Sequence, residues 1–158
     1  MDCIAPSEVF LDDLDFMGNL HNGRYPLLVE RALVSVWARG GYAMVDGVPT
    51  HPDVMHAVLE QTYRYLTPVR RVGPVHVEFK LTKLGRSSMV YAFRVLSTDG
   101  GTVHAEGTRV EVNIDMETLT TAPWAEQTRE LAVTLFGIPT PADSAGAQER
   151  MPDRAPAT

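Results

Sequence analysis

An α+β domain, with an antiparallel sheet curled around one buried helix, is the fold that this 158-residue sequence predicts. Two observations lead there. One early run, Pro26 to Arg39, has helical spacing and is apolar over most of its circumference, so other structure must wrap it. Four later stretches carry strand patterns and are joined largely by hairpin turns.

Taken in order, Glu8 to Asp12 is a short apolar piece bounded by acids and reads as a first strand. Asp13 to Tyr25 then packs carboxylates, a His, two Asn and two Gly into a loop that opens directly into the helix. Pro26 suits the first helical turn, where its missing N–H has no partner to lose, and Gly40-Gly41 supplies a left-handed stop. Arg31, Ser35 and Arg39, spaced by four, form the one polar stripe. Glu30 lies about 100° from Arg31, on a flank expected to be mostly buried. There it either pairs with an Arg or backbone group at a dimer contact or serves as a second active-site carboxylate, because a buried charge needs a partner.

Val54 to Leu66 reads as a strand with Met55, Ala57, Leu59, Tyr63 and Tyr65 on one face. Val75, Val77, Phe79 and Leu81 alternate with His76, Glu78, Lys80 and Thr82, giving a strand with one core face and one wetter face. Leu84-Gly85-Arg86 is a turn, Ser88 to Leu96 the return strand, and Asp99-Gly100-Gly101 a hairpin signal. In the last strand, Thr102 to Asp115, the apolar residues change from odd (Val103, Ala105) to even (Val110, Val112, Ile114), and a bulge near Gly107 would repair the register. Trp124 to Phe136 is a second helix with Leu131 and Leu135 as its apolar line and Gly137 as its stop. Residues 1–137 thus make one domain, and 138–158, rich in Pro and Ala, a disordered tail.

A net charge of −6 argues against a broad basic surface and so against sequence-independent nucleic-acid binding. The single Cys3 has no partner for an internal disulfide, which fits a reducing cytoplasm. No apolar run is long enough to span a membrane. No metal site is expected from His51, Asp53 and His56, which Pro52 interrupts and whose spacing is not a familiar ligand spacing. Dinucleotide, nucleotide triphosphate and serine-elbow motifs are missing as well, so no cofactor is expected.

The loop and helix resemble the hotdog-fold acyl thioesterases, the branch that includes 4-hydroxybenzoyl-CoA thioesterase. That family carries Asp-x-Asp-x-x-Gly-His-Val/Met-Asn-Asn-x-x-Tyr, followed by a Glu-Arg-Ala turn. Here Asp13, Asp15, Gly18, Asn22 and Tyr25 are in register, with Glu30-Arg31-Ala32 at the expected distance. Tyr65 to Pro68, Leu84 to Ser88 and His104 to Gly107 resemble the family's strand ends. Two positions depart: Asn19 stands where most members have His, and His21 where they have the first Asn. The Gly-Asn pair also resembles thioesterases of polyketide pathways.

The resemblance implies a hotdog fold and hydrolysis of an acyl thioester carried on coenzyme A or an acyl carrier protein, without a cofactor, in fatty acyl or polyketide metabolism. It assigns Asp15 as nucleophile or general base, and it implies a homodimer or homotetramer with the site at the subunit interface. Backbone N–H groups around Asn22 and Gly23, at the loop-to-helix junction, are the expected oxyanion donors, because the first N–H groups of a helix lack partners inside it. Asn19, His21 and Tyr25 are expected to line the site or hold its turn. Arg86, Ser87 and Ser88, with Lys83, either hold the phosphates or pantetheine arm or form a solvated turn. Two other activities fit the same residues. Asp15 and His21 could act as an acid/base pair in a dehydratase or isomerase, or the domain could bind acyl groups or carrier protein without catalysis.

Overall fold

The computed structural model describes residues 3–137 and residue 139, so the tail expected from residue 138 otherwise lies outside the described residues. In chain order the elements are β1 (Cys3–Val9), α1 (Tyr25–Arg39), the short β2 (Met44–Val45) and β3 (Val48–Pro49), β4 (His56–Tyr65), β5 (Gly73–Leu84), β6 (Ser88–Leu96), β7 (Val103–Asp115), the short β8 (Thr120–Thr121) and α2 (Glu126–Phe136). The main sheet runs β1-β5-β6-β7-β4 with every neighbouring pair antiparallel, and β8 pairs with β7. Leu28, Val29, Ala32, Leu33 and Val36 of α1 join Val77, Phe79 and Leu81 of β5 and Tyr91 and Phe93 of β6 in one core. Each large apolar side chain buried this way contributes about 1.5–3 kcal/mol, which is what holds the sheet around the helix. This is the expected hotdog arrangement.

Local differences from the expectations have identifiable causes. The first strand lies earlier than Glu8 to Asp12. Cys3, Ala5, Ser7 and Val9 alternate inward against β5, from Cys3 opposite Phe79 to Val9 opposite Gly73. Pro6 obscures that pattern in the sequence, but β1 is an edge strand, where proline is tolerated. After α1, Gly41 rather than Gly40 takes the left-handed backbone, at φ +85°. Asp46 (φ +50°) and Gly47 (φ +78°) close the β2–β3 hairpin, which the sequence did not reveal.

The strand expected over Val54 to Leu66 is shorter because Pro52–Val54 forms a 3-10 turn capped by His51. A bulge at Leu59 puts Val58 opposite Glu111 and Glu60 opposite Val110. The bulge splits the expected face: Tyr63 packs against the core, whereas Leu59 is 70% exposed on the sheet edge. In β7 there is no bulge at Gly107; the register shift against β6 comes earlier, where Val95 pairs with Ala105 but Leu96 with Val103, and from Ala105 to Asn113 the odd-numbered residues keep to one face. Ala105, Arg109, Glu111 and Asn113 are all buried on the inner face, and the even-numbered valines lie half-buried on the outer one. The inner face turns from apolar to polar, and that change mimicked a register shift. Gly107 is required for another reason: a Cβ there would collide with the Thr62 carbonyl oxygen and come within 2.7 Å of Phe93 Cζ. Finally, α2 starts at Glu126, and its buried line is Thr128, Ala132 and Phe136, with Leu131 and Leu135 only partly covered.

Candidate active site

The loop between β1 and α1 is folded by its own acids. Asp13 is buried; its Oδ2 accepts from Phe10 N at 2.9 Å, its backbone oxygen accepts from His21 N at 2.9 Å, and Arg24 Nε stands 3.6 Å from Oδ1. Both ends of the loop are therefore fixed to one residue. Asp15 closes the tip: its Oδ1 accepts from Met17 N at 2.8 Å and Asn19 N at 3.0 Å, and its own N–H donates to the Asn19 carbonyl at 2.7 Å. Gly18, at φ +75°, makes the tight return. Asp15 Oδ2 takes no hydrogen bond from the described residues. Asn19 holds the turn through its backbone, while its side-chain oxygen is buried without a partner.

At the junction with α1, His21 caps a 3-10 turn, Asn22–Arg24, that runs straight into the helix. The Gly23 N–H, expected free, donates to His21 Nδ1 at 3.0 Å, which requires that nitrogen to be unprotonated. The Asn22 N–H has no acceptor among the described residues. Asp15 and His21, the pair an isomerase would use, bond backbone groups rather than each other. Tyr25 is 3% exposed, edge-on to Tyr65 at 5.1 Å, and burial pushes its phenol up in pKa; within one chain its ring is closed off. Tyr65 in turn donates to the Asn22 carbonyl at 3.3 Å, so this end of β4 sits beside the loop.

Arg86, Ser87 and Ser88 lie at the other end of the sheet. β5 starts at Gly73, opposite Val9, and runs 12 residues to Leu84, a span of roughly 40 Å when extended. The Arg86 side chain is exposed, and the turn's backbone braces neighbours: Arg86 O accepts from Trp124 N, Ser87 O from Asn113 N and Gly85 O from Arg129 Nη1. A single chain does not bring these residues together with Asp15.

A second constellation, missed from the sequence apart from Glu30, lies between α1, β4 and β7. Arg109 is 2% exposed; its Nε donates to Glu111 Oε1 at 2.5 Å, its Nη1 to Gln61 Oε1 at 3.3 Å and its Nη2 to Glu30 Oε2. Burial works against the Arg109 charge, but the Glu111 and Glu30 carboxylates raise its pKa above the ordinary value and keep it ionised. Glu30 thus has the expected Arg partner, supplied by its own chain. Next to this cluster is a cavity of about 350 Å³, with Leu33, Val34, Trp37, Met44 and Trp124 among its walls and Glu30, His56 and Glu111 at its polar end. Asp53 also borders it, but its oxygens are engaged by Asn113 Nδ2, Ala125 N and Thr128 Oγ1. The sequence signal was present in Arg109, Glu111 and Asn113, polar residues keeping the strand period.

Comparison with known proteins gives a consistent picture. Residues 9–131 match the family model described as the thioesterase-like superfamily. Among solved structures, a thioesterase from Thermus thermophilus complexed with coenzyme A and Zn is 26% identical, with a TM-score of 0.69 over 86% of this chain and 95% of that one. The XC229 protein of Xanthomonas campestris is 27% identical, with a TM-score of 0.64 over 78% and 100%. The PA2801 protein of Pseudomonas aeruginosa, 24% identical with a TM-score of 0.72 over 82% and 98%, shares the fold. No curated protein matches the chain.

Proposed function

Because the chain belongs to the thioesterase-like superfamily and is a thioester hydrolase, we propose that it cleaves acyl groups from coenzyme A, or from the pantetheine arm of an acyl carrier protein, with Asp15 as nucleophile or general base. The observation that supports this reading is the division of labour within Asp15: Oδ1 is held by two backbone N–H groups, and Oδ2, in the loop that runs into α1, takes no hydrogen bond from the described residues. In one route Oδ2 attacks the thioester carbonyl carbon, the C–S bond breaks, and water then hydrolyses the mixed anhydride. In the other, Asp15 takes a proton from water as that water attacks, and the proton passes to the leaving thiolate. Both consume one water and release acid and thiol. Negative charge on the carbonyl oxygen would be met by the Asn22 N–H and the positive end of the helix dipole. Gly23 would contribute close approach rather than a donor, because its N–H already serves His21.

The active unit in this reading is a homodimer, or a tetramer built from it. β4 is an open sheet edge with Leu59 70% exposed, a surface that invites pairing. A two-fold axis normal to the sheet pairs two such edges antiparallel. The Tyr65 end of one β4, and with it the Asp15 loop, then falls beside the His56 end of its partner, where the cavity opens. Residues 1–137 would form the catalytic domain, working in the cytoplasm without a metal or cofactor. Arg86, Ser87 and Ser88 would reach the thiol carrier from the far end of a neighbouring subunit.

Asp15→Asn is expected to lower kcat on a good acyl-coenzyme A substrate by at least ~10², read as free-thiol release. Near-normal turnover would remove this mechanism. An intact thioester with a shifted double bond would indicate an isomerase instead, and saturable binding without thiol release a binding module.

A further inference from the structure

The cavity between α1 and the β4–β7 pair is apolar along its walls but ends on charge. Glu111 is 1% exposed, and its Oε1 is spent on Arg109. Its Oε2 borders the cavity and meets, among the described residues, His56 Nε2 at 3.6 Å, too far for a hydrogen bond. No donor among the described residues satisfies that oxygen, and the space where one could stand is the cavity itself. We propose that this cavity receives the far end of the acyl group and selects one that ends in a hydroxyl, which Glu111 and His56 read together.

The geometry suits that group. A hydroxyl oxygen about 2.7 Å from Glu111 Oε2 and about 2.9 Å from His56 Nε2 closes a triangle on their 3.6 Å separation. It donates to the first and accepts from the second. A methyl end offers Oε2 no donor. A carboxylate end brings negative charge against Glu30 and Glu111, while the neighbouring cation, Arg109, is already occupied by Glu30, Glu111 and Gln61. The apolar walls fit the chain that precedes the hydroxyl. The acyl assignment rests on the hydrolase reading above; the recognition chemistry of the cavity does not depend on Asp15.

Both tryptophans of the chain, Trp37 and Trp124, line the cavity, so their fluorescence reports its occupancy. Titration with 1-hexanol is expected to saturate, hexyl methyl ether, which cannot donate, to bind at least ~tenfold more weakly, and hexanoate more weakly still. Glu111→Gln should erase the preference for the alcohol; the wild-type series decides the matter should that variant not fold. In turnover, kcat/KM should rank 8-hydroxyoctanoyl-coenzyme A above octanoyl-coenzyme A and the suberic half-thioester last. Equal binding of ether or hexanoate, no saturation, or a flat kinetic ranking overturns the proposal. An active Asp15→Asn enzyme that still prefers the hydroxyl would overturn the Asp15 mechanism and leave this inference standing.

Discussion

Asp15 and Arg109 are both charged, and the chain uses them in opposite ways. Asp15 sits in a half-open loop with one oxygen tied to Met17 N and Asn19 N and the other left over, as a reacting group requires. Arg109 is wholly enclosed, with its donors taken by Glu30, Glu111 and Gln61. Substitution of Arg109 should therefore act on stability. Arg109→Met keeps the length but strands the buried Glu111 carboxylate and frees Glu30, whose side chain is 42% exposed and can still find water. A loss of about 3 kcal/mol is expected, measured as a fall in the urea midpoint, and adding Glu111→Gln should recover part of it. A change below about 1 kcal/mol would mean that the cluster does not carry the charges described here. The Asp-x-Asp spacing makes the turn at Asp15 legible from residues alone, because the hydrogen bonds of Asp15 are all local. The Arg109 cluster cannot be read that way, because two of its three partners, Glu30 and Gln61, lie 79 and 48 positions away.

Among the elements, α2 depends most on a contact that its own sequence does not contain. No side chain of its own caps it; Asp53, from the 3-10 turn before β4, accepts from Ala125 N at 2.8 Å and Thr128 Oγ1 at 2.6 Å, and its other oxygen accepts from Asn113 Nδ2 at 3.0 Å. One carboxylate thus ties the start of α2 to β7. Asp53→Ala should cost about 1–3 kcal/mol by removing the acceptor of Ala125 N, Thr128 Oγ1 and Asn113 Nδ2, the last two of which keep one other partner each, Tyr42 Oη and the Pro123 carbonyl. Hydrogen exchange would locate the loss: amides of α2 should speed up well before those of β5 and β6, whereas uniform protection along α2 would show that Phe136 packing alone holds it. Trp124, read from the sequence as the first helical residue, is held outside the helix by its N–H bond to the Arg86 carbonyl. The β2–β3 hairpin escaped notice because two-residue strands carry too little pattern to register.

For the assembled protein, the sheet edge is the place where one chain is incomplete. β4 is exposed along most of its length, and the bulge at Leu59 sits in its middle. Leu59→Lys puts a charge on that edge, a device that keeps open strands from pairing. The variant is expected to sediment as a monomer and to lose thioester hydrolysis in parallel, because the Asp15 loop of one subunit would no longer face the cavity of the other. An unchanged oligomer with full activity would place the subunit contact elsewhere.

The order of elements, the buried character of α1, the inward set of β5 and the hairpins of the sheet could be read from the chain because each rests on a short-range period or a local turn preference. The acid-lined turn at Asp15 was legible for the same reason. The polar inner face of β7, the Arg109 cluster, the cavity it borders and the capping of α2 by Asp53 came into being only when distant segments were packed together. Burial converts ordinary surface residue types into charged partners that must satisfy one another, and nothing in the spacing of those residues along the chain records which of them will meet.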